Sequence, residues 1–293
     1  MNEANEPDRI SVGPSQKDPD YFSDHFQEAI RIVVNAADYA DVRAQIERGD
    51  MPWWTGTFFY FMKFLDEDSC FLEFSVKGMQ LFIDLAERSP EKYENRKVSL
   101  RIAREEKKRG FAGLYGRHTV SLWNMLDATL SESLTQLLLA KGKTLELPAF
   151  QKIKFSVAQF QDMSSAQMMR AVLGELKRLH AAEARCNKGV RIYEKLYIDA
   201  GMSEHLSDQL DKRLIELRAV RNAIVHNMGI ADERFVKDCP WLRIEPGTRI
   251  AIGKAQYDVY TDAASSYVVS TLVDLVKTFQ VLEESAPPNQ ESG

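Results

Sequence analysis

The sequence predicts a mostly α-helical protein, one or more helical bundles with at most a short β element. Three observations predict it. Apolar residues recur at three- and four-residue steps over most of the chain rather than in alternation. Glycine and proline, which punctuate such segments, fall largely between the periodic runs. The one convincing strand-like run is short, Arg249-Ile250-Ala251-Ile252. With 293 residues, 44% hydrophobic and 28% charged, the chain holds enough apolar material for one large core or two modest ones.

Residues 1–20, rich in Asp, Glu, Asn, Pro and Ser, are expected to form a disordered tail. Residues 24–48 carry apolar side chains at helical spacing and stop near Gly49, and Pro52-Trp53-Trp54-Thr55-Gly56 reads as a break. Two apolar helices follow over 57–65 and 69–88, ended by Ser89-Pro90, and then a charged helix over 91–109. Gly110, Gly113 and Gly116 loosen the chain, which places a boundary between an N-terminal helical domain at 21–115 and a second helical domain at 116–285.

The second domain opens on Val120, Trp123, Leu126, Leu130, Leu134 and Leu137, with Gly142 where a C-cap belongs. Residues 163–199 form one long or two shorter amphipathic helices, interrupted near Asn187-Lys188-Gly189. Ser203 is suited to cap the next helix, whose stripe is Leu206, Leu210, Leu214 and Leu217 and which Gly229 ends. The run 249–252 pairs near Tyr257–Tyr260 or leads into a last helix over about 260–284. Residues 286–293 form a second tail.

Composition excludes several classes of function. The net charge of -5 does not point to nucleic-acid binding by bulk charge, and it does not exclude an RNA site, since a local basic patch can supply the attraction. Cys70, Cys186 and Cys239 are odd in number, widely spaced and without a CxxC pair, so reduced thiols are expected rather than disulfides or zinc. The N-terminus lacks a basic stretch followed by an apolar one, and no apolar run approaches the ~20 residues of a membrane helix. A cytoplasmic protein without membrane attachment is expected. No HExxH, glycine-rich phosphate loop or GxSxG element occurs, so no metal and no cofactor are expected.

One constellation carries chemistry. The stripe of the helix near Ser203 steps through 210, 214, 217, 221 and 224, so position 221 should be apolar and face the core; it is Arg221. A guanidinium on an inner seam is costly unless paired or used, and such breaks in pattern are where function shows. His226 follows in the last turn, where the helix dipole favours a cation. Asn222 lies one turn before His226 on the same face and can orient the ring. Arg221 itself lies about 140° around the helix from His226. The two reach one phosphate only at the helix end or between two chains.

Arg221-Asn222-Ala223-Ile224-Val225-His226 on a late helix resembles the motif of the HEPN superfamily, an Arg and a His four to six residues apart with a polar residue after the Arg. The flanking Leu217–Gly229 run, Asp232, Glu233 and Phe235, and the later Pro246-Gly247-x-x-Ile250-x-Ile252 segment are similar to bacterial HEPN-like proteins. The resemblance covers about 117–285. It implies a HEPN-like domain at 116–285 and a homodimer with a composite site. It also implies metal-independent cleavage of single-stranded RNA to a 2′,3′-cyclic phosphate and a 5′-hydroxyl, as in a toxin or antiviral defence effector. Transferred residue by residue, His226 is the general acid or base, Arg221 holds the scissile phosphate and Asn222 orients His226 or the backbone.

A second reading stays open. Arg221 pairs with a carboxylate such as Glu216, His226 only caps the helix, and the domain is an inactive dimerisation or partner-binding module. In either case residues 21–115 offer a surface for a protein partner. Arg104, Lys107, Lys108 and Arg109, within the basic stretch 96–109, form either an RNA-tracking surface or a solvated helix face. The aromatic cluster Trp53, Trp54, Phe58, Phe59, Tyr60 and Phe61 reads as core packing. His25, His118, His180 and His205 read as isolated.

Overall fold

A computed structural model describes residues 53–141, 153, 163–181 and 188–284. The two expected tails, the helix expected over 24–48, His25 and Cys186 lie outside the described residues. Among the described residues eight α-helices follow in order: α1 (Trp53–Arg88), α2 (Lys97–Lys108), α3 (Ala112–Lys141), α4 (Ser165–Ala181), α5 (Arg191–Asp199), α6 (Asp208–Asn227), α7 (Glu233–Asp238) and α8 (Lys254–Glu284). Short 3-10 helices span Pro90–Arg96 and Pro240–Leu242. Among the described residues there is no strand, and the β element reduces to one antiparallel bridge between Ile230 and Arg249. The protein is mostly α, as its periodicity predicts.

Several boundaries differ from expectation, each for a physical reason. The two helices expected over 57–65 and 69–88 are one, α1, because Asp66-Glu67-Asp68-Ser69 contains no breaker and Asp68 is claimed from other helices. His118 Nδ1 on α3 lies 2.6 Å from Asp68 Oδ1, and Tyr257 on α8 donates to Asp68 Oδ2 at 2.6 Å. The charged helix expected over 91–109 divides into a 3-10 turn opened by Pro90 and the shorter α2. Of the three glycines expected to loosen the chain, only Gly110 does, at φ +60. Gly113 and Gly116 lie inside α3, where close neighbours explain them. A Cβ on Gly113 would meet the Glu106 carboxylate at 2.5 Å, and one on Gly116 would touch Ile224 at 3.4 Å.

The described residues divide into two compact units, each drawn from separate stretches of chain. The first is Tyr60–Asp127 with Asp208–Ala264; the second is the described part of Asp18–Phe59, Ala128–Ser207 and Ser265–Gly293. The expected boundary between 115 and 116 falls inside α3.

In the first unit α6 is buried on nearly all sides: Leu210, Leu214, Ile215, Leu217, Ala219, Val220 and Ala223 are each below one-tenth exposed. Leu122, Trp123, Leu126, Tyr257 and Tyr260 join this core. α3 and α6 run antiparallel here, since Gly116 meets Ile224 while Asn124, two turns along α3, meets Arg221. α1 leaves Phe71, Phe74, Leu81 and Leu85 exposed along one stripe.

The second unit packs Leu130, Leu134, Leu137, Leu176, Tyr193, Tyr197, Tyr267 and Leu275. Its buried tyrosines are anchored: Ser131 Oγ lies 2.7 Å from Tyr193 Oη and Ser133 Oγ 2.6 Å from Tyr197 Oη. A buried ionic cluster closes it. Glu194 accepts the backbone N–H groups of His205 and Leu206 and the Tyr267 hydroxyl. The ring of His205 sits with Nδ1 3.7 Å from Glu194 Oε2 and Nε2 3.2 Å from Asp274 Oδ2. Neither contact has hydrogen-bond geometry, so the attraction is Coulombic. These carboxylates also explain why α6 begins at Asp208 rather than at Ser203. Asp274 takes the Ser203 N–H, Glu194 takes those of His205 and Leu206, and the segment stays non-helical.

Candidate functional site

The site is built on the last two turns of α6, in the first unit. The helix stops at Asn227, and Met228 (φ +52) and Gly229 (φ +78) turn the chain through the left-handed region. The Gly229 N–H reaches back to the Ala223 carbonyl at 2.9 Å and closes the helix end. Asn227 Nδ2 donates to Asp232 Oδ2 at 2.7 Å, and Asp232 Oδ1 caps α7 by accepting from the Phe235 N–H at 2.7 Å. That backbone bond, aided by Asn227, holds the Asp232 carboxyl below its usual pKa. Ile250 N–H donates to the Gly229 carbonyl and Ala231 N–H to that of Thr248, so the strand-like run pairs with 229–231 and not with Tyr257–Tyr260, which lie in α8. The turn is thus fixed on both sides, and His226 is exposed just before it.

Arg221 and His226 come together although five helical residues separate them, because the long side chain reaches down the helix. Arg221 Nη1 lies 3.5 Å from His226 Nε2 and donates to Asn222 Oδ1 at 3.0 Å. Nη2 reaches Asn124 Oδ1 at 3.4 Å. Its Nε is buried and without a partner. Among the described residues no carboxylate lies within ion-pair distance of this guanidinium. Asn222 therefore orients Arg221, where the spacing had pointed to His226.

Glu216, the carboxylate that could have sealed Arg221, is engaged elsewhere. It is buried, accepts from the Trp241 indole N–H, and lies 3.4 Å from Gln256 Nε2. Burial pushes its carboxyl above the usual value despite the opposing pull of Trp241, Arg213 and Tyr260.

Two concavities flank the end of α6. One, of about 360 Å³, is lined by Asn222, His226, Arg218, Arg234, Asp232 and other residues; Arg221 is not among them. The other, of about 760 Å³, takes its lining from the α2–α3 turn, the 245–252 segment and the opposite edge of α6. Of the four basic residues expected to track RNA, Arg109 lines this second cleft. Arg104 is drawn to Glu87 at 3.5 Å, and Lys107 and Lys108 are exposed in the last turn of α2.

Asn124 carried no sequence signal, because nothing in its local pattern marks an amide that meets an arginine 97 residues away. His118 and His205, isolated in sequence, each face a carboxylate in space. Among the described residues no group of three His, Cys, Asp or Glu side chains is placed to hold a metal, and no helix is long and apolar enough to cross a membrane. The class of protein is thus a helical one with an Arg-Asn-His cluster at a helix end. The chain matches no family model, no curated protein and no solved structure.

Proposed function

We propose that this chain is a metal-independent endoribonuclease of HEPN type, acting on single-stranded RNA as a homodimer. The observation that supports the reading best is a guanidinium beside an exposed imidazole with no carboxylate partner among the described residues. Two amide oxygens, those of Asn222 and Asn124, accept from this guanidinium and aim it. Its fork then has charge to offer a phosphodiester, whose two non-bridging oxygens match it.

In the reaction the 2′-oxygen attacks phosphorus and the bond to the 5′-oxygen breaks. The 2′-hydroxyl gives up one proton and the departing oxygen takes one. A histidine is suited to either transfer and contributes about 10²–10⁴-fold, and a fixed cation stabilises the charge that develops on the phosphoryl oxygens. A homodimer brings two imidazoles to the task, one for each proton.

The test is cleavage of single-stranded RNA in EDTA by the wild type, Arg221→Ala and His226→Ala. Cutting by the wild type alone, leaving 2′,3′-cyclic phosphate ends, is the expected result. Loss of cutting in EDTA, or normal cutting by both variants, overturns the mechanism.

A further inference from the structure

The 760 Å³ cleft has a composition that the cleavage chemistry does not account for. Arg109, from the turn after α2, Arg117, on the first turns of α3, and Arg249, in the bridge segment, all line it. Each is exposed, and none makes an ion pair or side-chain hydrogen bond among the described residues. Across a chain with five more acids than bases, three unpaired arginines in one concavity are a local reversal of sign. Two acids share the lining, Glu106, whose Oε2 accepts the Gly113 N–H at 3.1 Å, and the exposed Glu245, so three arginines against two glutamates leave the cleft with a net charge of +1.

The cleft also has an apolar side, formed by Ile224 and Met228. Met228 is unusual twice over. Its φ of +52 costs a non-glycine residue about 1–2 kcal/mol, and its side chain is 85% exposed. The left-handed turn that ends α6 thus presents an apolar side chain to solvent beside the three arginines.

We infer that this cleft binds a phosphorylated nucleotide unit, its phosphate held by Arg109, Arg117 and Arg249 and its base laid against Met228 and Ile224. Guanidiniums match phosphate oxygens in pairs, and a thioether packs on any base face without reading its edge. The unit is either part of an RNA strand or a free nucleotide. A strand fits the placement, because Met228 and Ile224 lie on the same terminal turns as Asn222 and His226, and a helix with its side chains is only ~10 Å across. In that form the inference rests on the nuclease reading; the binding site itself does not.

The experiment uses the full chain carrying His226→Ala, so that cleavage does not enter. Binding of a short fluorescent single-stranded oligoribonucleotide is followed by anisotropy in EDTA across a salt series. Replacing Arg109, Arg117 and Arg249 together by Gln is expected to weaken binding and to lower the slope of log Kd against log salt by about 2, or ~0.7 for each arginine. Met228→Ser is expected to weaken binding with the slope unchanged. A control replaces Arg88, Arg96 and Arg101, outside the cleft, by Gln.

Equal losses in the control and the cleft variant show attraction by bulk charge and overturn the proposal, as does wild-type binding by the cleft variant. Adenosine 5′-monophosphate separates the sources. Competition only at millimolar levels assigns the cleft to the strand, whereas stoichiometric competition assigns it to a free nucleotide. Arginine-dependent binding in a protein whose wild type never cuts RNA leaves the cleft standing and removes the nuclease; cutting that ignores the arginines does the reverse.

Discussion

Replacing Arg221 by Met distinguishes an arginine kept for structure from one kept for use, and the contacts allow the size of the effect to be worked out. Met preserves most of the apolar stem, so packing changes little. The bond to Asn222 Oδ1 at 3.0 Å is charge-assisted and contributes about 1.5 kcal/mol. The contacts to Asn124 at 3.4 Å and His226 at 3.5 Å lie at the outer limit of hydrogen-bond geometry and add little. Against these stands Nε, buried without an acceptor, whose removal returns roughly 1–3 kcal/mol of desolvation. The terms nearly cancel, so the variant is expected to unfold within about 1 kcal/mol of the wild type, a shift of only ~2–4 °C in Tm. A buried ion pair losing its cation would instead cost roughly 3–5 kcal/mol. Thermal unfolding by circular dichroism reads the difference, and RNA cleavage by the same preparation reads function. The expected pair of results is normal stability with cleavage lost. A destabilisation of 3 kcal/mol or more refutes the account of Arg221 as free of structural duty, and wild-type cleavage by the stable variant removes it from the chemistry.

His226→Gln, at an exposed position, is expected to leave Tm unchanged and to lower cleavage by about 10²–10⁴-fold; residual activity near wild type rules out proton transfer by this ring. Glu216→Gln is expected to be neutral or stabilising at pH 7 and destabilising relative to wild type at low pH. The raised pKa of this carboxyl means that its favourable contribution is complete below its ordinary 4.5 and is lost as pH rises through the folded value; a loss of several kcal/mol at pH 7 contradicts this. Trp241→Phe removes the indole donor to Glu216 and is expected to cost about 1–3 kcal/mol, seen as a lower urea midpoint. For His205, burial lowers the pKa, but Glu194 and Asp274 outweigh it and the net direction is upward; for Glu194, burial raises it, but the bonds from His205 and Tyr267 win and the net direction is downward. The histidine's contribution is present below its ordinary 6.5 and fades as pH rises through the folded value, while the glutamate's is present above 4.5 and fades on acidification. Stability of the second unit should therefore peak between these values. His205→Leu should abolish the alkaline fall, and an unchanged slope between pH 6 and 9 in that variant contradicts the assignment.

Helix content was legible because it rests on local periodicity, and the end of α6 was legible because Gly229 is needed there by its φ of +78. Where the reading failed, a distant acceptor overrode a local signal. Ser203 has the chemistry of a cap, yet the His205 and Leu206 N–H groups it would have accepted belong to Glu194, which precedes it in sequence. Asp66-Glu67-Asp68 looks like a polar gap between two helices, and is instead the point where α1 meets His118 and Tyr257. The Arg221 seam was read from a single stripe, whereas buried residues at 211, 215, 216, 219, 220 and 223 show that α6 has no single face. Its half-buried Arg is thus less anomalous by position than the pattern suggests. What sets it apart is that no carboxylate among the described residues pairs with it, a property of the meeting of α3 and α6 that no one-dimensional pattern displays.

The groups gathered around the end of α6 also indicate what kind of recognition this surface can perform. Sequence-specific readout needs side chains whose donors and acceptors are free to meet base edges, whereas phosphate contacts fix register and carry no sequence information. Asn222 is the amide best placed for the first task, and its oxygen is already committed to Arg221. Asn227 is committed to Asp232. The cleft adds three guanidiniums, which suit phosphates, and a methionine, which suits any base face. A strand laid across such a surface is positioned by its backbone and by stacking, so selection between RNAs falls to whether a segment is single-stranded and flexible enough to bend over the turn at Met228 and Gly229. If the proposed nuclease reading holds, RNA binding is expected to discriminate by strandedness, with little discrimination by base.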